Sequence, residues 1–489
     1  MRRIALPTLV LLLLLSMAES VRAQVQIGSD IDGEAAGDQS GRSVSMPDAQ
    51  TIAIGAPYNS ESDSGAGHVR VYSWNGNSWQ QKGLDIDGEA AHDISGWIVS
   101  MGDANTVAIG SPENQGVGFW AGQVRVFSWN GSAWVQKGAD IDPAYAYSQS
   151  GYSVSMPDAN TVAVGAWQGS VGFFESGEVR VYRWDGNAWV QKGQALGGSG
   201  TEVYAGLSVS MPDSNTIAFG SLNGRPAIGV NAGDVLVYGW NGSTWVQRGQ
   251  ALYGDANGDE FGASVSMPDA NTLAVGAPLS AITGPFSGLV RVFSWDGTQW
   301  TQQGNDLYGT FGSATFGQSV SMPDNITVAV GAPGDSSGST RVYRWMSNSW
   351  TQIGTTIYGE DAGDWAGWSV SMGDAQTIGI GSMMNNDLDS MAGSTRVFGG
   401  LPVAVEQGKT ARISAHPNPT TGRLRLHFSS IDQLPATISV RNGQGGLIQI
   451  MTTECLSSCM IDLDVPSGIY FAEVHFPDGI RETIRIVKQ

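Results

Sequence analysis

One short run of sequence, Ser-Val-Ser-Met or a close copy of it, is written seven times along this chain. Its methionine falls at Met46, Met101, Met156, Met211, Met267, Met322 and Met372, at successive spacings of 55, 55, 55, 56, 55 and 50 residues. A period of this length means that one supersecondary unit is stacked or circled, because a single unit cannot bury its own apolar face. Each repeat holds four short runs of alternating, β-branched character: SVSM, TVAVGA, VRVYSW and SWVQKG in the commonest spellings. Gly, Asn and Asp bound them, as expected of antiparallel strands joined by tight turns. Asn75-Gly76, Asn130-Gly131, Asp185-Gly186, Asn241-Gly242 and Asp296-Gly297 lie between runs three and four, where a hairpin needs positive φ. That hairpin sets Trp74 opposite Trp79, Trp129 opposite Trp134 and Trp184 opposite Trp189, as stabilising cross-strand pairs.

Four strands and seven repeats predict an all-β fold, a seven-bladed β-propeller of four-stranded antiparallel blades. The seventh repeat stops at STRVFGG, residues 394–400, with no fourth run after it. QVQIGSDIDGEAAGD, from Gln24, matches WTQIGTTIYGEDAGD, from Trp350. The N-terminal strand is therefore expected to complete the last blade and leave no open sheet edge.

Strand alternation sorts the loops onto two faces. The 1→2 loops (MPDAN) and 3→4 loops hardly vary. In the 2→3 loops, the count from the Gly of the GA/GS pair to the Arg position is 15 residues in five repeats, 16 in the fourth and 10 in the sixth. Phe119, Trp120, Trp167, Phe173, Phe174 and Phe286 sit in these loops without an evident core role. They are the candidate ligand-binding residues, since function concentrates in loops on a rigid scaffold. Packing back onto their own blades is the alternative. The 4→1 loops share that face and are acidic, with Asp30, Asp32 and Asp38; Asp85, Asp87 and Asp93; and Asp255, Asn257 and Asp259. Oxygen donors spaced around a glycine could wrap Ca²⁺. None has the full EF-hand spacing, and solvated acidic turns are the alternative.

The net charge of −20, from 45 acidic and 25 basic residues, disfavours nucleic acid and anionic lipid as partners. Residues 1–23 carry Arg2 and Arg3, an apolar stretch around Leu9–Leu15 and a Val21-Arg22-Ala23 end. This is the pattern of a secretory signal peptide, and it places the mature start near Gln24. No later segment is apolar enough to span a bilayer. Cys455 and Cys459, the only cysteines, are a candidate local disulfide in an exported chain, with two buried thiols as the alternative.

FGASVSMPDANTLAVGAP from Phe261 and FGQSVSMPDNITVAVGAP from Phe316 resemble FG-GAP repeats, which build the seven-bladed propellers of integrin alpha subunits and of many bacterial surface proteins. The resemblance covers residues 24–400. It implies a Ca²⁺ loop of DxDxDG type between strands one and two, but MPDAN stands there with a lone Asp (Asp48, Asp103, Asp158, Asp213, Asp269, Asp324, Asp374). Such an Asp reads as a turn former. After a linker at 401–411, residues 412–489 resemble the type A sorting domain of the type IX secretion system of Bacteroidetes. Pro417-Asn418-Pro419 with Gly422, the strand holding Gly468 and Tyr470, and terminal Lys488 carry this resemblance. It implies the secretion machinery as a partner, export across the outer membrane and a secreted or cell-surface location. Read from the residues, the segment is a small C-terminal β-sandwich.

Catalysis needs a constellation that breaks the repeat, and the abundant carboxylates recur from blade to blade. His92 and Glu175 depart from the pattern without an identifiable partner. There is no zinc-spaced His pair, P-loop or nucleophile elbow. The expectation is a non-catalytic binding or adhesion protein for an extracellular glycan or protein. The alternative is a secreted polysaccharide-degrading hydrolase or lyase.

Overall fold

Each Ser-Val-Ser-Met run lies in a strand whose serines, two in every repeat but the second, bond to the next repeat. The second serine's hydroxyl accepts the methionine N–H of the following repeat: Ser45 from Met101 (3.0 Å), Ser100 from Met156 (2.9 Å), Ser155 from Met211 (3.0 Å). The series continues through Met267, Met322 and Met372 and returns from Ser371 to Met46 at 2.9 Å. Seven bonds thus close on themselves, and the strands that carry them ring a common axis. The first serine donates to a glycine carbonyl next door, as Ser153 does to Gly206 and Ser208 to Gly262, both at 2.7 Å.

This computed structural model describes residues 24–224, 232–401, 413–416, 420–428, 437–442, 446–451, 458–475 and 481–488. Among them all regular structure is strand. The chain divides into two bodies, Met1–Val403 and Ala404–Gln489.

In the first body, each repeat forms one antiparallel sheet with its strands in chain order. The first is Ser43–Asp48, Thr51–Ala56, His68–Trp74 and Trp79–Gln81. The first strands of consecutive sheets adjoin all the way round, and Ala366–Asp374 returns to Ser43–Asp48. This radial arrangement is a β-propeller. The last sheet takes its outer strand from the chain's beginning: Val25 pairs with Gly399, Gln26 with Phe398 and Ile31 with Thr395.

Apolar residues of neighbouring sheets interlock, as Val69 and Val71 do with Val99, Met101, Ile109 and Phe127. Burying each such side chain contributes roughly 1.5–3 kcal/mol. The GA glycines allow the sheets to approach. A Cβ on Gly55 would lie 2.0 Å from the Gly96 carbonyl oxygen, and one on Gly276 would lie 2.1 Å from that of Gly317. The tryptophan pairs form as expected, with ring centroids 5.4 Å apart for Trp74 and Trp79 and 5.5 Å for Trp129 and Trp134. The second Trp of each pair also donates its indole N–H to the preceding sheet. Trp134 reaches Lys82 O (2.6 Å), and Trp79 reaches Ile27 O (2.8 Å) in the N-terminal segment. Arg70, Arg125 and Arg396 of the third strands likewise bond the carbonyls of Asp32, Asp87 and Tyr358 at 2.6 Å. The lone Asp of MPDAN is a turn former, Asp48 accepting Gln50 N–H at 2.8 Å.

In the second body, Ile413–His416, Arg423–Phe428 and Ser458–Asp462 form one sheet. Leu447–Met451, Thr437–Asn442, Gly468–His475 and Arg481–Lys488 form another. Leu424, Leu426 and Ile461 of the first and Ile438, Val440, Tyr470 and Ile486 of the second share one apolar core.

Candidate functional site: the axial mouth

The seven first strands begin at one end of the axis, on the side of the 2→3 and 4→1 loops. The residue four before each repeat methionine lies at the mouth end of the strand, and there the repetition fails: Arg42, Trp97, Tyr152, Leu207, Ala263, Gln318 and Trp368. All seven line a cavity of about 460 Å³, floored by serines and valines of the same strands.

Seven before each methionine stands a second variable ring, Gln39, Ile94, Gln149, Tyr204, Glu260, Thr315 and Trp365. Every member has positive φ, between 48° and 59°. No glycine relieves these positions, and left-handed backbone costs a side chain about 1–2 kcal/mol. The neighbouring 2→3 loop holds them: Ile94 N–H bonds Gly65 O, Gln149 N–H bonds Trp120 O, and Thr315 N–H bonds Phe286 O, at 3.0–3.1 Å. The same left-handed step recurs in all seven repeats and belongs to the turn that leads into the first strand.

The two rings are lopsided. Tyr204, Trp167, Tyr152 and Trp97 form a chain of aromatic contacts with centroids 5.3–5.5 Å apart. The arc continues through Arg42, whose guanidinium carbon lies 3.8 Å from the Trp97 centroid and 5.1 Å from that of Trp368. Trp365 stacks on Trp368 at 5.6 Å and 17°. Trp167 donates to Gln149 Oε1, and the Tyr204 hydroxyl bonds Glu175 at 2.8 Å. That bond gives Glu175 the partner the sequence did not reveal. Burial, with this bond, pushes Tyr204 up to about 12. The far side of the cavity carries Leu207, Ala263, Gln318 and Glu260.

Arg42 makes no ion pair among the described residues. Burial lowers its guanidinium to about 10, so it is still cationic at neutral pH. Burial raises the Glu260 carboxyl, the only carboxylate among the described lining residues. Tyr152 is also raised by burial, with Arg42 pulling the other way.

Of the six aromatics singled out in the 2→3 loops, only Trp167 reaches this cavity. Phe119 and Trp120 meet each other at 4.8 Å, and Phe119 meets Tyr147 at 5.6 Å, as an exposed cluster. Phe173, Phe174 and Phe286 are exposed on other repeats. Variation in loop length points away from the axial residues, yet their signal is in the sequence. With the repeats aligned on Met, the fourth residue before it varies between a constant Gly and a near-constant Ser-Val-Ser.

The acidic residues do not converge as one set. Asp38, Asp93 and Asp259 are buried and turn inward, each accepting two N–H groups of its own loop at 2.9–3.2 Å. Asp255 and Asp306 pair with Arg291. Asp32 and Asp87 are partly buried, and burial raises both. Asn257 lies in the same loop as Asp259. Asp30 and Asp85 fall in two different groupings, Asp30 with Glu360 and Asp387, and Asp85 with Glu34 and His68.

In the second body, Lys488 Nζ bonds the carbonyls of Leu463 (2.8 Å) and Val465. Gly422 O accepts Leu463 N–H at 2.6 Å. The Tyr470 hydroxyl bonds Pro466 O at 2.9 Å, and Gly468 opens the strand that carries it. Pro417, Asn418, Pro419 and Cys455 lie outside the described residues, as does the side chain of Cys459, and so does the signal sequence 1–23.

The fold and cavity define a β-propeller with an asymmetric axial mouth. Among solved structures, the chain is similar to the periplasmic gluconolactonase of Pseudomonas aeruginosa, at 13% identity and TM-score 0.44, over 81% of this chain and 95% of that one. It is also similar to a polysaccharide lyase, an ulvan lyase, at 11% identity and TM-score 0.44, over 77% and 96%. The β-propeller domain of the trilobed protease from Pyrococcus furiosus follows at 7% and 0.39, over 73% and 91%. No protein-family model and no curated protein sequence matches. The expectation of a non-catalytic chain is corrected here. Its premise, that no constellation breaks the repeat, fails at the axial rings.

Proposed function

We propose that this chain is an exported, FG-GAP-like seven-bladed propeller that takes an acidic polysaccharide into its axial mouth and cleaves it by β-elimination. The observation that carries the reading is Arg42, a cation without a counter-ion among the described residues, held between two indole faces in a cavity walled by aromatics. Aromatic faces stack on sugar rings, and a guanidinium pairs with a carboxylate in a fixed planar fork. A bound uronate carboxylate against Arg42 would be neutralised, which acidifies the adjacent C5–H. Glu260, made more basic by burial, takes that proton. The electron pair forms the C4–C5 double bond and expels the glycosidic oxygen at C4, which receives the Tyr152 hydroxyl proton. Two-carboxylate hydrolysis is the weaker option, since it needs a second acid facing Glu260. The exposed Phe119, Trp120 and Tyr147 would hold the chain outside the mouth.

Export is part of this proposal. The pattern of residues 1–23 supports a signal peptide, and the cluster of Gly422, Tyr470 and Lys488 in a sandwich-like body supports a type IX sorting domain.

The test is ultraviolet absorbance of the unsaturated product when the protein is incubated with polygalacturonate, alginate and sulfated uronate polymers. Arg42→Ala and Glu260→Gln should each lower the rate at least about 100-fold. New reducing ends without absorbance would replace elimination with hydrolysis. Inert mixtures across the panel would sink the reading.

A further inference from the structure

We propose that Glu34, His68 and Asp85 form a binding site for one divalent transition-metal ion, zinc being the best match to the donor set. The site is separate from the axial mouth. His68 opens the third strand of the first repeat and is completely buried. Neither ring nitrogen has a hydrogen-bond partner among the described residues, which is costly for a buried polar group. Its Nδ1 faces two carboxylates, with Asp85 Oδ2 at 3.4 Å and Glu34 Oε2 at 3.8 Å. Ligands on a tetrahedral zinc, with bonds of about 2.0–2.1 Å, sit roughly 3.4 Å apart, so a small contraction would seat the ion.

The carboxylates are oriented as ligands are. Glu34 turns its other oxygen to Arg70 at 3.2 Å, and Asp85 turns its other oxygen to the Gln81 amide at 2.5 Å. One oxygen is tied behind and one is free in front, the pattern that outer partners impose on metal ligands.

The second repeat provides an internal control. Glu89, Arg125 and the Gln136–Asp140 pair reproduce the same surroundings, but Gln123 stands in place of His68. Its amide simply bonds Glu89 at 2.9 Å. The fold therefore does not need an imidazole at this position, and the imidazole of the first repeat is what a metal would require.

The experiment strips the full chain with a chelator and titrates Zn²⁺ by calorimetry, with Co²⁺ absorption as a second probe of tetrahedral geometry. One equivalent should bind and raise the melting temperature. His68→Gln, which copies the second repeat, should keep the metal-free melting temperature and lose affinity by roughly 100-fold or more. If that variant misfolds, Asp85→Asn at the accessible edge should show the same loss. Unchanged binding in either folded variant, or no uptake by the wild type at micromolar zinc, overturns the site.

Discussion

Two glycines with almost the same backbone test whether the tryptophan belt is a rigid inter-sheet joint. Gly193, at the end of the third repeat's fourth strand, has φ +78°; Gly258, in a 4→1 loop, has φ +82°. A Cβ on Gly193 would lie 2.5 Å from Trp240 Cζ3 and 2.9 Å from Trp245 Cδ1, whereas one on Gly258 meets nothing within 4 Å. Left-handed backbone costs alanine about 1–2 kcal/mol at either place. At the positions matching Gly258, His92, Tyr147, Glu202 and Ser313 already adopt φ of 58–64°, so that cost should sit at the low end. Gly193→Ala adds overpacking against two indoles, worth about 1–3 kcal/mol. The expected totals are about 1 kcal/mol for Gly258→Ala and about 2–5 kcal/mol for Gly193→Ala. Guanidinium unfolding followed by tryptophan fluorescence reads the difference as a shift in midpoint at constant slope. Equal midpoints for the two variants would show that the indoles yield freely, and the belt would then be a contact rather than a joint.

Ser155→Ala removes one of the seven axial serine–methionine bonds and should cost about 1 kcal/mol, with faster hydrogen exchange at Met211 N–H as its local signature. Deleting residues 24–32 takes away the outer strand of the last sheet and the carbonyl acceptors of Trp79 and Arg70. Proteolysis should then start at Ser394–Gly399, and a synthetic 24–32 peptide should restore protection; continued resistance without the peptide would contradict the pairing. Burial raises Asp234 to about 6 from 3.8, so between those values the folded chain keeps a proton that the unfolded chain releases. This contribution to stability is complete below about pH 4 and is lost as pH rises through 6, by about 3 kcal/mol at most. Asp234→Asn should recover that loss at pH 7 and flatten the slope from pH 4 to 6 in thermal melts.

Much of the fold was legible because the repeat makes each unit a check on the others. The Met spacing gave the sheets, the Asn-Gly and Asp-Gly pairs gave the Trp74–Trp79 hairpin and its copies, and the missing run after Gly400 pointed back to Gln24. The site was less legible, because loop length drew attention outward to Phe119 and Phe174 while the informative column, Arg42 to Trp368, sits next to an almost invariant strand. Side-chain direction decides such a case. Asp38 and Asp93 looked like ligands beside their glycines, yet they turn to cap their own loops. The neighbours of His68 are close only in three dimensions, 34 residues separating it from Glu34.

The pairing of Val25 with Gly399 also sets an order of events. Residues 24–32 must wait, unpaired, until Ser394–Gly399 is in place. The bond from Ser371 to Met46 waits with them. Such distant contacts are slow to find, so closure should govern the rate at which this protein reaches its native state. Until then, the chain remains an open arc, its first and last sheets each lacking a neighbour.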